Sequence, residues 1–228
     1  MPGPRKFRTK IALGTLLACT VGVICQNWDL AISQSVGKMR IPGDFRKSIG
    51  LSEAFAHSGG IIVIFTALVW IDLKNRKKLW RAALFTLICG LASNVAKIIV
   101  PRLRPHSLAE SEIEIASSWQ TWGTPWTGSW MEEQFRSFPS GHSATAVALA
   151  IGLTQVYPRG KWIFALLAAM ACFQRLESQA HFLSDIMGGI VITLVISLCY
   201  WNNPSAGKEK NEGESQDAIY PPPLLTTE

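Results

Sequence analysis

The sequence predicts an all-α fold: a bundle of six transmembrane helices with its functional site at the outer, periplasmic or extracellular, membrane face. Three observations predict it: apolar stretches of bilayer-spanning length, basic residues gathered in alternate loops, and a set of ionisable side chains at the other ends of those stretches. With 48% hydrophobic and 17% charged residues and a mean hydropathy of +0.20, the 228-residue chain fits a compact membrane bundle better than a soluble domain.

A helix crosses a bilayer with about 17 to 25 apolar residues. The first span, residues 11–25, follows a basic leader of Arg5, Lys6, Arg8 and Lys10. A signal peptide has the same outline, but "VICQNW" offers no small-residue cleavage site, so the segment reads as a retained anchor. The second span covers residues 54–72, the third 80–100, the fourth 142–157, the fifth 162–174 and the sixth 181–201. An inside N-terminus then leaves 73–79, 158–161 and 202–228 cytoplasmic. Lys74, Arg76, Lys77, Lys78, Arg81, Arg159 and Lys161 all fall at inside positions, as the positive-inside bias requires. The net charge of +6 is therefore topology, with anionic lipid head groups as its partners. No nucleic-acid module is indicated, because the basic residues are divided among short loops instead of forming one stripe.

The chain thus divides into a basic cytoplasmic N-terminus (1–10), a membrane domain (11–201) and a polar tail (202–228) expected to be a disordered cytoplasmic extension. The five cysteines, Cys19, Cys25, Cys89, Cys172 and Cys199, lie in apolar segments and read as small core residues, suggesting neither a disulfide framework nor a zinc site. In the fourth span, Ala144, Ala148 and Gly152 recur every four residues, which favours close helix packing.

An ionised group at the centre of a membrane helix costs about 2.5 to 3.5 kcal/mol on insertion scales, so the charges kept near the outer ends need a reason. Lys97 ends the third span with Arg102 and Arg104 beyond it, His142 opens the fourth, Arg175 closes the fifth, and His181 and Asp185 open the sixth. Taken singly, Lys97 and Arg102 read as snorkelling cations, and His57 reads as a structural interfacial histidine without a partner. His106 stays ambiguous. Glu110, Glu112 and Glu114 alternate in a polar loop and read as solvated, since no histidine joins them at metal-ligand spacing.

Taken together, the same residues describe an oxyanion site. His181 and Asp185 are four apart, so on one helix face the carboxylate can accept a ring N–H and leave the other nitrogen as nucleophile or base. The cations, with backbone N–H groups of Ser140 and Gly141 at a helix start, suit an anion with several oxygens. Phosphate fits best, because guanidinium groups pair bidentately with its oxygens and phosphoryl transfer needs its developing charge stabilised.

Three motifs stand in order: Lys97, six residues, then Arg104-Pro105 in "KIIVPRLRP"; "PSGH" from Pro139 to His142; and Arg175, five residues, His181, three residues, Asp185 in "RLESQAHFLSD". They closely resemble the type 2 phosphatidic-acid phosphatase superfamily, which groups membrane lipid phosphatases with soluble acid phosphatases and vanadium haloperoxidases. The motifs cover 97–185, and the six-helix organisation extends the likeness over 11–201. The resemblance implies an integral membrane hydrolase of a lipid phosphate monoester or diphosphate. His181 would attack phosphorus to form a phosphohistidine, Asp185 would orient it, and His142 would protonate the leaving oxygen and later activate water. Lys97, Arg104, Arg175, Ser140 and the Gly141 backbone would hold the phosphate oxygens, with no metal and no cofactor. Gln174 departs from the family's usual Ser-Arg, which implies altered local support and not loss of chemistry.

The membrane bundle implies a plasma or inner membrane protein with its active site outside, both termini cytoplasmic, and a membrane lipid with an exposed phosphate as partner. Phosphatidic acid, lysophosphatidic acid, phosphatidylglycerol phosphate, polyprenyl pyrophosphate and lipid A-like phosphates all qualify, and the motifs do not rank them. Three alternatives stay open on the residues: a lipid phosphotransferase, a non-catalytic phospholipid-binding or transport protein, and a vanadate-binding haloperoxidase. The loop 106–138 holds Trp119, Trp122, Trp126 and Trp130, four of nine tryptophans. It reads as an interfacial aromatic belt, or as a lid over lipid chains.

Overall fold

A computed structural model describes residues 4–110, 115–124 and 132–201. Trp126, Trp130, Glu112, Glu114 and the 202–228 tail lie outside the described residues, as do the side chains of Arg5, Lys6 and Glu110. The described chain is helical with no strands: α1 (Pro4–Gln26), α2 (Asp29–Gly37), α3 (Gly43–Leu51), a 3-10 turn (Ser52–Phe55), α4 (Ser58–Ile71), α5 (Arg76–Ile99), α6 (Pro105–Glu110), α7 (Gly141–Val156), α8 (Lys161–Glu177) and α9 (Leu183–Tyr200).

Helix ends follow local chemistry. Val156 ends α7 just ahead of Tyr157-Pro158 and Ile99 ends α5 ahead of Pro101, since proline cannot continue a helix and disfavours helical backbone before it. The Ser140 hydroxyl caps α7 by accepting from the Ser143 amide at 3.3 Å, and His57 caps α4 by accepting from the Gly59 amide at 3.2 Å; each satisfies an otherwise orphaned donor. His57, expected to be unpartnered, therefore has a structural task.

Each predicted span coincides with a helix, but they are not equal. Arg8–Gln26, Leu73–Ile99 and Leu183–Tyr200 are long and apolar enough to cross a bilayer, and Gly43–Phe55 with Ser58–Ile71 makes a fourth crossing if that pair, bent by 69°, is one span. Helices α7 and α8, with 16 and 17 residues, are shorter than these spans. The chain is an integral membrane protein, with Leu16, Val23, Trp70, Ile71, Trp80 and Trp162 more than half exposed on an apolar exterior. The segment between the first two spans contains two further helices, α2 and α3, which pack on α8.

Helix α7 is the axis: it packs on α5, α8 and α9, while α1 covers α9. Ala144 and Ala148 are fully buried, and a Cβ at Gly152 would stand 3.0 Å from the Cβ of Ala82. The small-residue stripe thus brings α5 and α7 into direct backbone proximity, the packing on which apolar bundles rely. A tighter approach joins α9 to the start of α7, where a Cβ at Gly189 would lie 2.4 Å from the Ser140 carbonyl oxygen. At one end of the bundle Tyr157 donates to Asp72 at 2.9 Å and Tyr200 to the Arg81 carbonyl at 2.8 Å. At the other end, the last turns of α5 and α8 meet the first turns of α7 and α9.

Candidate active site

The chain leaves α5 in an extended segment held on both sides. The Leu103 amide donates to Thr121 at 2.8 Å, the Arg102 and Arg104 amides donate to Phe135 and Gln134 at 2.8 and 2.7 Å, and the Ser137 amide returns a bond to Arg102 at 3.0 Å. The alternation of an extended segment sends neighbouring side chains to opposite sides. Arg102 goes inward. Its Nε donates to Thr121 at 3.0 Å, one terminal nitrogen to Ser184 at 2.7 Å and to Asp185, the other to Asp29 at 2.8 Å. The guanidinium carbon lies 4.4 Å from the ring centres of both Trp122 and Phe182, a stacking that suits its delocalised charge.

The snorkelling expected of Arg102 is therefore wrong: it is fully buried, because its segment is pinned between two others and two buried carboxylates receive its charge. Asp29 also accepts from the Ser184 amide at 3.1 Å and from the Ser184 hydroxyl. Burial pushes the Asp29 carboxyl above its usual range, opposed by the bonds from Ser184 and Arg102. Trp122, expected in an interfacial belt or lid, instead packs against this buried guanidinium, while Trp119 is exposed and donates to Asn27 at 3.1 Å.

Asp185 stands at the junction. One oxygen receives Arg102; the other accepts from Ser137 at 2.6 Å and from the Phe182 amide at 2.8 Å. The second bond is the carboxylate half of a capping box at the start of α9. His181 precedes α9 and is not on it. Gln179 adopts a left-handed φ of 55°, and the Ala180 and His181 amides both donate to the Arg175 carbonyl at 3.2 Å. The expected helix-face hydrogen bond is accordingly not formed: His181 Nδ1 is 3.9 Å from Asp185, a charge contact beyond hydrogen-bond length. Burial pulls the His181 pKa down to about 4, with Asp185 opposing and Lys97 and Arg104 adding to the fall. Its imidazole is neutral at pH 7.

In front of His181 the predicted cations and His142 converge. Arg175, His181, Lys97 and His57 all lie within charge range of His142. The His57 ring is centred 6.1 Å from that of His142. Lys97 is only 8% exposed, and a Cβ at Gly141 would lie 3.8 Å from its Nζ and 3.9 Å from Asn94 Oδ1, so the glycine keeps that corner open. Arg104 donates to Glu133 at 3.0 Å through one terminal nitrogen. Its Nε, His142 Nε2 and His181 Nδ1 are buried without hydrogen-bond partners, and burial lowers the Arg104 pKa.

Arg175 pairs with Glu53 at 2.7 Å and donates through Nε to Gln174, so Gln174 takes up a donor of the arginine beside it. Ser140 differs from expectation. Its amide donates to the Asp185 carbonyl at 3.0 Å and its hydroxyl caps α7, so the helix start offers the amide of Gly141 and not that of Ser140. His106 is exposed and binds the Gln179 carbonyl through its amide at 3.0 Å and through Nδ1 at 3.1 Å, which fastens α6 to the turn ahead of His181. Sequence reasoning missed Asp29, Glu53, Asn94, Ser137 and Ser184. Only Arg102 carried a visible signal, its place inside "KIIVPRLRP".

Known proteins share parts of this sequence and this fold. Over 111 residues, 48% of this chain and 44% of the other, the sequence is 31% identical to a protein named lipid A 1-phosphatase of Rhizobium etli. Over 121 residues, 45% of this chain and 42% of the other, it is 30% identical to a probable diacylglycerol pyrophosphate phosphatase 1 of Schizosaccharomyces pombe. The chain thus spans less than half the length of these curated relatives. The fold resembles the transmembrane PAP2-type phosphatidylglycerolphosphate phosphatase of Bacillus subtilis, with a TM-score of 0.56 and 19% identity over 89% of this chain and 96% of that one. It also resembles LpxE of Aquifex aeolicus, with a TM-score of 0.54 and 17% identity over 77% of this chain and 95% of that one. The sequence model of the PAP2 superfamily matches residues 78–207, from the start of α5 past the end of α9, and the chain belongs to that superfamily.

Proposed function

We propose that the protein is an integral membrane phosphatase that hydrolyses a lipid phosphate monoester or diphosphate through a phosphohistidine on His181. The observation that carries this reading is the set of buried, unpartnered polar atoms on His142, His181 and Arg104, beside Lys97 and in front of a fully bonded Asp185. Buried polar atoms are left unsatisfied in folded proteins only with a reason; a phosphate would satisfy His142 Nε2 and Arg104 Nε, and a small approach to Asp185 would satisfy His181 Nδ1.

A movement of about 1 Å would bring His181 Nδ1–H into hydrogen-bond range of Asp185, leaving the Nε2 lone pair for phosphorus. As the Nε2–P bond forms, the P–O bond to the lipid breaks, and its electron pair goes to the lipid oxygen, which takes a proton from His142. Water then attacks phosphorus and gives a proton back to His142. The N–P bond breaks, returning its electron pair to His181 and releasing inorganic phosphate. Lys97, Arg104, Arg175 and the Gly141 amide hold the three equatorial oxygens, the electrostatic stabilisation this reaction depends on. No metal or cofactor enters these steps.

In this reading residues 11–201 form one membrane domain crossing six times, with α7 and α8 completing the bundle. Lys74, Arg76, Lys77, Lys78, Arg159 and Lys161 flank the end opposite the site, which by the positive-inside bias puts the site at the outer face and both termini in the cytoplasm. A phosphate in the head-group layer with its tails in lipid fits that position. Phosphatidic acid, phosphatidylglycerol phosphate, polyprenyl pyrophosphate and lipid A phosphates all meet the requirement.

The test is phosphate release by the purified protein in detergent from a panel of these lipids with EDTA present, beside His181→Ala. Release that EDTA spares and the substitution abolishes is expected. Release that persists in His181→Ala overturns the nucleophile, and transfer to an added lipid alcohol in place of water identifies a phosphotransferase.

A further inference from the structure

Glu53 belongs to none of the three motifs, yet it enters the site. It lies on the 3-10 turn Ser52–Phe55, at the break where the chain bends by 69° between α3 and α4. Two contacts fix that turn. The Ala56 carbonyl accepts from Thr145 at 2.7 Å, tying the turn to α7 three residues after His142. The Ala54 carbonyl oxygen occupies space only 2.0 Å from where a Cβ on Gly60 would be, so the turn lies directly against the first turn of α4. Held there, Glu53 places Oε1 2.7 Å from Arg175 and 3.9 Å from His142 Nε2. With Nε bonded to Gln174, two sides of the Arg175 guanidinium are already engaged within the protein. A carboxylate oxygen on a guanidinium makes the same kind of contact as a phosphate oxygen.

We propose that Glu53 is a specificity-determining gate: its carboxylate holds Arg175 in place of a phosphate, and only a phosphate with additional binding energy displaces it. This rests on the reading of Arg175 as a phosphate ligand. A lipid phosphate brings that energy in the burial of its tails, at about 0.8 kcal/mol per methylene; inorganic phosphate brings none. The gate imposes the same displacement energy on both, which the lipid's tails offset and free phosphate cannot, so the lipid still binds while the product is expelled. Glu53 has somewhere to go, since its side chain is 38% exposed and can turn to water when phosphate arrives.

Two measurements test the gate. In the first, inorganic phosphate inhibits lipid hydrolysis by wild type and by Glu53→Gln, which keeps the shape and removes the charge. The expected result is that phosphate inhibits the variant about tenfold more tightly and that kcat and KM both fall, because product leaves slowly and the lipid no longer has to displace a carboxylate. Inhibition that is unchanged or weaker overturns the gate. In the second, which needs no variant, wild type is labelled with a carbodiimide and Glu53 modification is read by mass spectrometry. Labelling is expected to rise with saturating inorganic phosphate, and labelling that stays level or falls overturns displacement. Active wild type with either negative result removes the gate alone, whereas wild type silent on every lipid removes the phosphatase reading and the gate with it.

Discussion

Two polar clusters meet at Asp185 and are built oppositely. Behind it, Arg102 donates to Thr121, Ser184, Asp185 and Asp29, and both aspartates receive several bonds each. In front of it, His142 Nε2, His181 Nδ1 and Arg104 Nε are buried with nothing to bond. Both clusters are built on ionisable side chains at one end of the bundle, so the presence of charge does not separate them; satisfaction does. Each buried donor or acceptor without a partner costs about 1–3 kcal/mol. A fold that completes one cluster and leaves the adjoining one open is using the first to hold the second in shape.

The largest effect expected is on the open side. His181→Ala should lower kcat/KM by more than about 10³-fold, because in the proposed mechanism it removes the atom that accepts the phosphoryl group. Thermal stability in detergent should change little, since the ring contributes no side-chain hydrogen bond. A comparable loss of stability would mean that the front cluster is structural after all.

Arg102→Met should do the reverse. It leaves Asp29 and Asp185 buried without their counter-charge, and losing one partner of a buried pair costs about 3–5 kcal/mol. Activity should fall with it, since Asp185 loses the anchor that sets its position against His181. Adding Asp29→Asn removes one of the stranded charges and should recover part of the thermal stability. A double variant no more stable than the single one would show that the two do not interact.

Arg104→Ala comes next, with kcat/KM down about tenfold to a hundredfold, carried mainly by KM, and with an unchanged melting temperature because its only ion pair among the described residues is to the exposed Glu133. A smaller effect is set by pH. The His181 pKa is lowered to about 4 in the folded protein, against about 6.5 in an unfolded chain. Between those values the unfolded chain takes up a proton that the folded one refuses, so stability is present above about pH 6.5 and declines as pH falls toward 4. His181→Gln should flatten that decline in a melting series; an identical slope would place its origin elsewhere.

The comparison also explains what was legible in the sequence. The front cluster is readable because its residues stand at fixed local spacings, Lys97 with Arg104 and Arg175 with His181, and because ionisable groups at the ends of apolar runs call for a reason. The rear cluster is not, because Asp29 and Arg102 meet across 73 residues and neither belongs to a periodic pattern. A lone arginine at a helix end reads as snorkelling until a buried carboxylate is found for it. The shared helix face of His181 and Asp185 failed for a local reason: Asp185 caps the Phe182 amide, so α9 begins after His181. Glu53 was hidden because its role depends on the bend ahead of α4, and an apolar run gives no sign of a bend. Each of the six apolar runs coincides with a helix, since such a run reports burial in lipid or in the bundle core, whereas the start of α7 is set by Ser140 and its end by Pro158.

The smallest effect falls at the one point where the open side is closed from within. Gln174 accepts from Arg175 Nε and Glu53 pairs with a terminal nitrogen of the same guanidinium, so two sides of this arginine are held within the protein. Gln174→Ser shortens the side chain to the family's usual residue and withdraws the acceptor, freeing Nε to join a second phosphate oxygen. Against that gain, Arg175 loses a neighbour that fixes its rotamer, and side chains of its length lose up to about 2 kcal/mol of rotamer entropy when they are ordered again. The two terms nearly cancel, so KM for the lipid should move by less than about threefold with kcat unchanged. A large fall in KM would mean that Gln174 works with Glu53 to keep Arg175 from phosphate, and a large rise would mean that its bond is what aims the guanidinium at the site.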